Sequence, residues 1–428
     1  MVPAPTQPFP HSLPLDAAGL RLLPACSAAE IARGFDLTAL PEGFHADPYP
    51  VFHALRMHAP VHRMAAGYIL SRHADLEAVY KDTTTFSSDK KREFGPKYGE
   101  TPLYEHHTTS LVFNDPPLHT RVRRIMAGAL TARAIAGMER PVTELVDRLL
   151  DQMADKEQVD LIEDFAAAIP VEVIGNLLAV PRDERGPLRA WSLAILGALE
   201  PVLTPVQHEL GNRAVTEFVG YLRRLVADRR ARPGDPDEDV LTRLMLGESE
   251  GQRLTETELL QNCIFILNAG HETTTNLIGN GLFALTEWPE ERDRLIREPA
   301  LIRTAVEEFL RFESSNQLGN RITTRETEIG GVAMPAHTPV TLCIGAANRD
   351  PERFTQPDRL DLGRQPNRHL AFASGPHLCV GMNVARLEGR IATARFLARY
   401  PRYRPAGSPR RGGRVRFRGF LSIPVTLH

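Results

Sequence analysis

A single cysteine in a short loop is the residue of this sequence best suited to do chemistry. Cys379 lies within the run Phe-Ala-Ser-Gly-Pro-His-Leu-Cys-Val-Gly, which spans residues 372–381. A thiolate is a strong axial ligand for haem iron, and the N–H groups of a tight loop can tune it through hydrogen bonds. Glycines at positions 375 and 381 suit a backbone that turns sharply or passes close to a flat ligand. The alternative is that Cys379 is a small buried hydrophobic residue, the usual fate of a free cysteine.

A second group of candidate residues lies in the middle of a long apolar segment. Residues 255–285 predict one long helix, whose centre changes abruptly to Ala-Gly-His-Glu-Thr-Thr at positions 269–274. A buried acid such as Glu272 is costly unless it is paired or used in a reaction. The hydroxyl of Thr273 can bond back to the carbonyl of Ala269 and favour a local bend. By itself, the pattern is equally compatible with a satisfied internal polar patch.

The cysteine loop resembles a family pattern, F-x-x-G-x-H-x-C-x-G, of the cytochromes P-450, which are haem-thiolate monooxygenases. The segment 269–274 resembles the oxygen-binding motif of the same family. This resemblance implies that Glu272 and Thr273 manage the protons that dioxygen cleavage needs, and that Ala269 lies beside the haem. The residues of the cysteine loop that match the family pattern, and that the resemblance places at the cofactor, are Phe372, Gly375, His377, Cys379 and Gly381.

Further segments resemble the family in its order along the chain. They imply that His119, Arg123 and Arg321 bind the haem propionates. A Glu-x-x-Arg motif at Glu308 and Arg311 is implied to form a buried structural lock, with a third member supplied by the later Pro-x-Arg segment. That third member is Arg359. The candidate substrate contacts are Phe265, Asn268, Gln317 and Phe420.

The composition is ordinary for a globular protein with a sizeable core. Hydrophobic residues make up 42% of the chain, and 51 basic against 53 acidic residues give a formal charge of −2. This balance gives no electrostatic reason to expect nucleic acid or an anionic membrane as a partner. The four cysteines lie far apart, which argues against a disulfide framework or a zinc site. Prolines break up the N-terminus and no apolar run of membrane-spanning length follows, so we expect a cytoplasmic protein.

The expected fold is mainly α with small β-sheets. Residues 1–44 are interpreted as a proline-rich N-terminal extension with at most one short helix, and residues 45–428 as a single cytochrome P-450 domain. The resemblance implies that the haem lies between the long central helix and the cysteine-ligand loop. Residues 82–116 have no sustained period and predict a long loop. Residues 414–418 resemble a strand near the end of the chain.

Lysines concentrate in one part of this sequence. Four of them, Lys81, Lys90, Lys91 and Lys97, lie in or beside the expected loop, and the fifth is Lys156. Charge runs usually mean only a solvated surface. Because this stretch borders the substrate entrance in the family, an alternative hypothesis is that it steers or holds a substrate carboxylate.

The resemblance implies a monooxygenase that binds haem b, activates O2, and hydroxylates or oxidatively dealkylates a small organic substrate. An aromatic acid is one hypothesis for that substrate. The sequence contains no block typical of a reductase domain, so electrons are expected from a separate ferredoxin or flavodoxin with its reductase. Arginines at positions 121, 124 and 133 could meet such an acidic partner. Two alternatives stay open: a peroxide-driven haem-thiolate peroxygenase, and a non-catalytic haem protein that senses or carries electrons. The acid–alcohol pair favours the monooxygenase over both.

Overall fold

The computed structural model describes residues 13–236, 239–249 and 251–428. Within these ranges, the chain is mainly helical and its strands form small sheets, as predicted. The helices are α1 (Ala25–Gly34), α2 (Tyr49–His58), α3 (His73–Lys81), α4 (Lys91–Tyr98), α5 (Pro102–Thr109), α6 (Leu118–Ala129), α7 (Ala132–Met153), α8 (Ala168–Leu177), α9 (Leu188–Gly197), α10 (Pro205–Ala231), α11 (Val240–Leu246), α12 (Glu256–Glu287), α13 (Pro289–Arg297), α14 (Ile302–Phe312), α15 (Ile344–Ala347) and α16 (Met382–Arg399). The strands are β1 (Val61–Met64), β2 (Gly67–Leu70), β3 (Phe86–Ser87), β4 (Gln158–Asp160), β5 (Glu248–Ser249), β6 (Gln252–Arg253), β7 (Leu318–Thr323), β8 (Thr327–Ile329), β9 (Val332–Met334), β10 (Pro339–Cys343), β11 (Arg404–Pro405), β12 (Arg410–Arg411), β13 (Phe420–Ser422) and β14 (Pro424–Thr426).

The long central helix α12 lies inside the largest hydrophobic cluster of the protein. It begins with a capping box, in which the Thr255 hydroxyl accepts from the backbone N–H of Glu258 and the Glu258 carboxylate accepts from the backbone N–H of Thr255. Its 32 residues span about 48 Å at 1.5 Å per residue. The helix packs against α8, α9, α10, α14 and α16. The predicted long helix is therefore confirmed. No helix in the described ranges combines the length and the apolar character needed to cross a bilayer.

A five-stranded mixed sheet, in the order β1-β2-β10-β7-β3, lies beside the helices. The β1–β2 hairpin turns at Gly67, whose φ of +113° is strained for any residue with a side chain. A Cβ at this position would also lie 2.2 Å from the carbonyl oxygen of Pro339. In β7, which pairs with β10, the register sets Arg321 opposite Val340. This sheet fixes one of the arginines that the family resemblance assigned to the haem propionates.

The prediction of one long loop for residues 82–116 is wrong. This segment contains β3, α4 and α5. The α4 sequence includes both Gly95 and Pro96, so its intrinsic helix propensity is low and its period is hard to detect. Burial of Phe94, Tyr98 and Leu103 in the main hydrophobic cluster stabilises these helices in the folded protein.

The chain from residue 25 onward packs into the body of the protein. Ala28 and Ala32 of α1, together with Phe35 and Phe44, are buried in one cluster with Phe52 of α2. Residues 1–12 lie outside the described ranges. The division at residue 44 between an extension and a domain stays a prediction, and residues 25–44 contribute to the same core as α2.

A buried ion-pair network joins α14 to the segment that leads to the cysteine loop. Arg311 donates to both carboxylate oxygens of Glu308 at 2.8 and 2.7 Å, and both side chains are fully buried. The second cation on Glu308 is Arg364, whose Nε lies 3.1 Å from both carboxylate oxygens. The assignment of Arg359 as the third member of this lock is wrong. Arg359 is exposed and contributes only its backbone carbonyl, because Arg364 occupies the space beside the buried carboxylate.

We predict a graded loss of stability from three arginine-to-methionine substitutions in this network. Arg311→Met leaves the Glu308 charge buried without its main partner and should cost about 3–5 kcal/mol of unfolding free energy. Arg364→Met removes one of two cations and should cost about 1–3 kcal/mol. Arg359→Met is the matched control, with an expected change within about 0.5 kcal/mol because its side chain is exposed. Denaturant unfolding of the purified proteins measures all three. A larger loss for Arg359→Met than for Arg364→Met would contradict the assignment.

Candidate active site

One face of α12 keeps accessible surface although the helix lies in the core. Leu267 and Ile264 are buried, whereas Ala269 is exposed. Residues four apart on a helix lie on the same side, so the accessible positions form a single strip. Such a strip in the middle of a buried helix borders an internal opening. The residues with this accessible surface are Phe265, Ile266, Ala269, Gly270 and Thr273.

Two hydrogen bonds fix the backbone of α12 at this strip. The hydroxyl of Thr273 donates to the carbonyl oxygen of Ala269 at 2.6 Å, the back-bond predicted from the sequence. The Ser315 hydroxyl donates to the carbonyl oxygen of Thr273 at 2.8 Å. Gly270 allows α8 to approach, because a Cβ at this position would lie 2.5 Å from the side chain of Ile174. The Thr273 hydroxyl is therefore held at a defined position beside the opening.

The cysteine loop presents one sulfur with several favourable groups around it. Burial raises the pKa of Cys379, while the N–H groups of Gly381 and Met382 and the charges of Arg123 and Arg386 act in the opposite direction. These groups stabilise a sulfur anion. A metal ion bonded to the sulfur acts in the same direction and removes the proton outright. The loop is thus suited to hold a thiolate ligand.

Local packing explains the glycine at position 375. Its φ is +67°, and a Cβ there would lie 2.5 Å from the carbonyl oxygen of Tyr80. The backbone N–H of Cys379 then donates to the carbonyl oxygen of Phe372 at 3.0 Å and closes the loop. Gly381 differs, because a Cβ at that position would meet no atom within 4 Å. Open space beside Gly381 is consistent with the close approach of a flat ligand that the sequence predicted.

Buried nitrogen atoms without partners collect near the cysteine loop. The rings of His119 and His377 lie 3.9 Å apart, and the Nε2 atoms of both, together with Nε of Arg321, have no hydrogen-bond partner among the described residues. Burial lowers the pKa of His377 to about 2, and the charge of Arg321 lowers it further. Burial and the charge of Arg123 lower the pKa of His119 to about 4. Buried polar atoms are normally satisfied, so this cluster lacks acceptor groups. The two propionates of haem b are acceptors that fit it, and the residues present are therefore compatible with this cofactor.

The acid of the α12 motif is paired with an arginine that the sequence interpretation did not include. Arg414 donates through Nη1 to both carboxylate oxygens of Glu272 at 2.6 and 2.7 Å, and through Nη2 to the carbonyl oxygen of Leu193 at 3.3 Å. Burial raises the pKa of Glu272 to about 7, against the opposing charge of Arg414. A carboxyl group with a pKa near 7 can both take up and release a proton at neutral pH. This property suits a proton relay beside Thr273.

Two of the four candidate substrate contacts lie at or next to the accessible strip. Phe265 belongs to the strip itself. Asn268 is buried, and its Nδ2 lies 3.5 Å from Nε2 of His106, whose Nδ1 in turn lies 3.0 Å from Oε1 of Gln261. Asn268 therefore belongs to an internal polar chain between α12 and α5, although its Oδ1 has no partner.

The other two candidate contacts are not at the strip. Gln317 donates from Nε2 to the carbonyl oxygen of Ser314 at 2.7 Å and packs so tightly on Gly345 that a Cβ there would lie 1.9 Å away. Phe420 packs on Phe283 with ring centroids 4.6 Å apart. Each of these side chains fills a gap in the core, so the structure does not support a contact with substrate.

Three residues of this region were missed, two of them because they lie in the predicted strand of residues 414–418 and the third because it lies in the connection between α9 and α10. The structure has bends there, with one isolated bridge between Asn316 and Phe417. The Glu200 carboxylate accepts a hydrogen bond from the backbone N–H of Val415 at 2.8 Å. This bond holds the segment against the α9–α10 connection. The only signal in the sequence was the alternation of arginine with apolar residues from position 414 to 418. The missed residues are Glu200, Arg414 and Arg416.

Arg321 gives a direct test of the cofactor site. We expect Arg321→Leu to be purified with less haem per protein, because the propionates lose a buried charged donor. Pigment analysis against protein concentration measures the occupancy. Arg325→Leu is the control, because Arg325 is exposed and lies four residues further along the same chain segment. Equal haem content in the two variants would contradict the assignment.

Glu272 and Arg414 together predict a shift in pH dependence. Arg414→Leu removes a charge that lowers the pKa of Glu272, so this pKa should rise above about 7. Less of the carboxylate is then ionised at neutral pH, and the acidic limb of kcat should move to higher pH. Glu272→Gln, which cannot transfer a proton, should reduce kcat by about a hundredfold. Steady-state turnover against pH measures both effects, with Arg410→Leu as an exposed control in the same segment. An acidic limb that stays in place in Arg414→Leu would rule out the proposed coupling.

Comparisons with known proteins agree with this geometry. The sequence profile of the family described as Cytochrome P450 matches residues 191–408. Cytochrome P450 107B1 of Saccharopolyspora erythraea is 35% identical and covers 91% of this chain and 97% of its own length. Vitamin D(3) 25-hydroxylase of Pseudonocardia autotrophica is 36% identical over 84% of this chain and 87% of that protein. The crystal structure of P450BioI in complex with an acyl carrier protein that carries hexadec-9-enoic acid has a TM-score of 0.86 at 33% identity, and covers 90% of this chain and all of that one.

The relatives cover 84–91% of this chain, and the residues matched by the family profile include the cysteine loop and the acid–alcohol motif. Members of the family bind haem b through a cysteine thiolate. The chain therefore belongs to the cytochrome P450 family and is a haem-dependent monooxygenase.

Proposed function

We propose that this P450 hydroxylates or oxidatively dealkylates a small organic acid, with electrons from a separate ferredoxin or flavodoxin. The observation that carries the oxygenation is the pair of adjacent residues in α12, in which burial raises the pKa of Glu272 to about 7 and the Thr273 hydroxyl is fixed by the carbonyl of Ala269. Several relatives, among them 6-deoxyerythronolide B hydroxylase and vitamin D(3) 25-hydroxylase, are hydroxylases by name, which supports hydroxylation as the default reaction.

Each residue of the site has a separate task in this proposal. Bound haem supplies the oxygen activation, and Cys379 is its ligand. Thr273 offers a hydroxyl whose position is set by the Ala269 carbonyl, and Glu272 holds or releases a proton next to it. The apolar side chains of the accessible strip on α12, such as Phe265, keep bulk water away from the reacting atoms.

The contacts of Lys81 and Lys91 weaken the hypothesis that the lysine cluster of residues 81–97 steers a substrate carboxylate. Lys81 pairs with Glu77 at 2.9 Å and Lys91 with Asp89 at 3.1 Å, both at exposed positions. Exposed pairs of this kind are worth about 0–1 kcal/mol and leave little net charge to steer a substrate. Support for an acid now comes from cations in the interior.

The proposal places the electron donor at the face that carries the arginines near α6 and α7. Arg121 is bound to Glu258 at 3.0 and 2.5 Å, so it is engaged within the protein. Arg124 and Arg133 are exposed. An acidic ferredoxin or flavodoxin would meet these charges, since complementary charge accelerates association. The same proposal places the protein in the cytoplasm, where such carriers operate.

Two alternative functions, a peroxygenase and a non-catalytic haem protein, predict different experimental results. A peroxygenase would use peroxide without an electron donor, and a sensor or electron carrier would form no oxidised product. The Glu272–Thr273 pair favours the monooxygenase, because a peroxide-driven enzyme does not need protons delivered to dioxygen.

Reconstitution with a ferredoxin or flavodoxin, its reductase and O2 tests the proposal. A panel of aromatic and aliphatic acids, with the matching neutral amides, is analysed for products after incubation with isotope-labelled O2. We expect an acid in the panel to acquire labelled oxygen or lose an alkyl group. Formation of this product should require the electron donor and its reductase. Turnover with hydrogen peroxide alone that exceeds the reconstituted rate would favour the peroxygenase. Absence of product from every acid and amide would contradict the proposal.

A further inference from the structure

Two cations inside the protein lack a carboxylate partner. Lys97 lies on α4, and Arg416 lies in the C-terminal segment between β12 and β13. Among the described residues, neither forms an ion pair with an acidic side chain, although both make hydrogen bonds to neutral oxygen atoms. A buried charge without a counter-charge is costly.

The two side chains converge on the connection between α9 and α10. Lys97 Nζ donates to the carbonyl oxygen of Glu200 at 2.8 Å, and Arg416 Nε donates to the carbonyl oxygen of Leu199 at 3.2 Å. These carbonyls belong to consecutive residues, so the two positive groups are neighbours. The Glu200 carboxylate lies nearby and acts on both cations through its charge, but its oxygens accept from the backbone N–H groups of Val415 and Arg416 and not from either cationic side chain.

The Arg416 side chain contacts the α9–α10 connection and β7, and these contacts use only some of its N–H donors. Its Nη1 donates to the carbonyl oxygen of Leu318 at 2.9 Å, and its Nη2 donates to Oδ1 of Asn320. A guanidinium group has five N–H donors, and three are used here. The residue is only partly buried, so part of its surface is accessible to a ligand.

Lys97 also keeps unused donors. It has three N–H groups and makes one hydrogen bond, and its side chain is only half-buried. Burial and then the charge of Arg416 lower the pKa of Lys97 to about 8, with Glu93 and Glu200 acting in the opposite direction.

Three other cations in the interior are each paired with a carboxylate. Lys90 pairs with Glu93 at 2.6 Å, Arg414 pairs with Glu272 at 2.6 Å, and Arg418 pairs with Glu313. Arg321 lacks such a pair, and the haem propionates account for it. In the part of the chain that the structure describes, Lys97 and Arg416 have no hydrogen-bonded carboxylate of this kind, although the charges of Glu93 and Glu200 act on both from nearby.

We propose that Lys97 and Arg416 form an anion subsite beside the α9–α10 connection, and that this subsite binds the carboxylate of the substrate. The inference rests on the proposed monooxygenase function and specifies its substrate class. The carboxylate would accept hydrogen bonds from the free donors of both cations. The carbon to be oxidised would then lie at the haem, at a distance set by the length of the acid.

Binding to the resting holoenzyme tests the subsite without any turnover. The probes are ω-(imidazol-1-yl)alkanoic acids of increasing chain length and the corresponding primary amides, whose imidazole nitrogen binds the haem iron and changes its absorption spectrum. We expect one or two chain lengths at which the acid binds about tenfold or more tightly than the amide, the effect of a charge-assisted contact. This preference should disappear in Arg416→Gln and fall several-fold in Lys97→Met.

Lys91→Met is the matched control on the same helix, because Lys91 is exposed and paired with Asp89, and it should keep the wild-type preference. Lys97→Met keeps the test decisive if Arg416→Gln does not fold. Equal binding of acid and amide at every chain length would overturn the subsite, as would a preference that both variants retain. Because no electrons or O2 are supplied, failure of the subsite is distinguishable from failure of the monooxygenase proposal.

Discussion

The structure depends on the requirement that charge inside a protein be compensated. Arg311 and Glu308 satisfy it within the chain, with both side chains fully buried and Arg364 as a second cation. Breaking such a pair leaves a buried charge, which is why these contacts hold the segment before the cysteine loop in place. Where compensation is missing, a ligand is implied. The unpartnered nitrogens of His119, His377 and Arg321 indicate the haem propionates.

The same requirement governs the reactive part of the molecule. Glu272 is buried in α12 beside an internal opening, and its pairing with Arg414 prevents its pKa from rising further. Arg414 also contacts the carbonyl of Leu193 in α9. The acid of the central helix is thus joined to a helix that covers the opening and to the end of the chain. Three distant parts of the sequence therefore determine the surroundings of this one buried carboxyl group.

Framework and substrate pocket differ in how they satisfy their charges. The framework pairs arginine with glutamate at short distances and completes itself, as Arg418 and Glu313 also do. Beside the α9–α10 connection, Lys97 and Arg416 rest on backbone carbonyls and keep free donors. This difference separates the arginines that hold the fold from the two cations that we propose to bind the substrate carboxylate.

The sequence by itself determined the helix of residues 255–285, the mainly α fold and the identity of Cys379, Glu272 and Thr273 as candidates. Local pattern is sufficient for these, because a capping box, an apolar run and a back-bonding threonine act over a few residues. The tertiary structure alone decided that residues 82–116 contain helices, since their propensity is weak and burial of Phe94 and Tyr98 stabilises them. It also replaced Arg359 by Arg364 and brought Arg414 and Arg416 to the site. Such contacts join residues far apart in the chain, and their energy depends on burial, which no local pattern encodes.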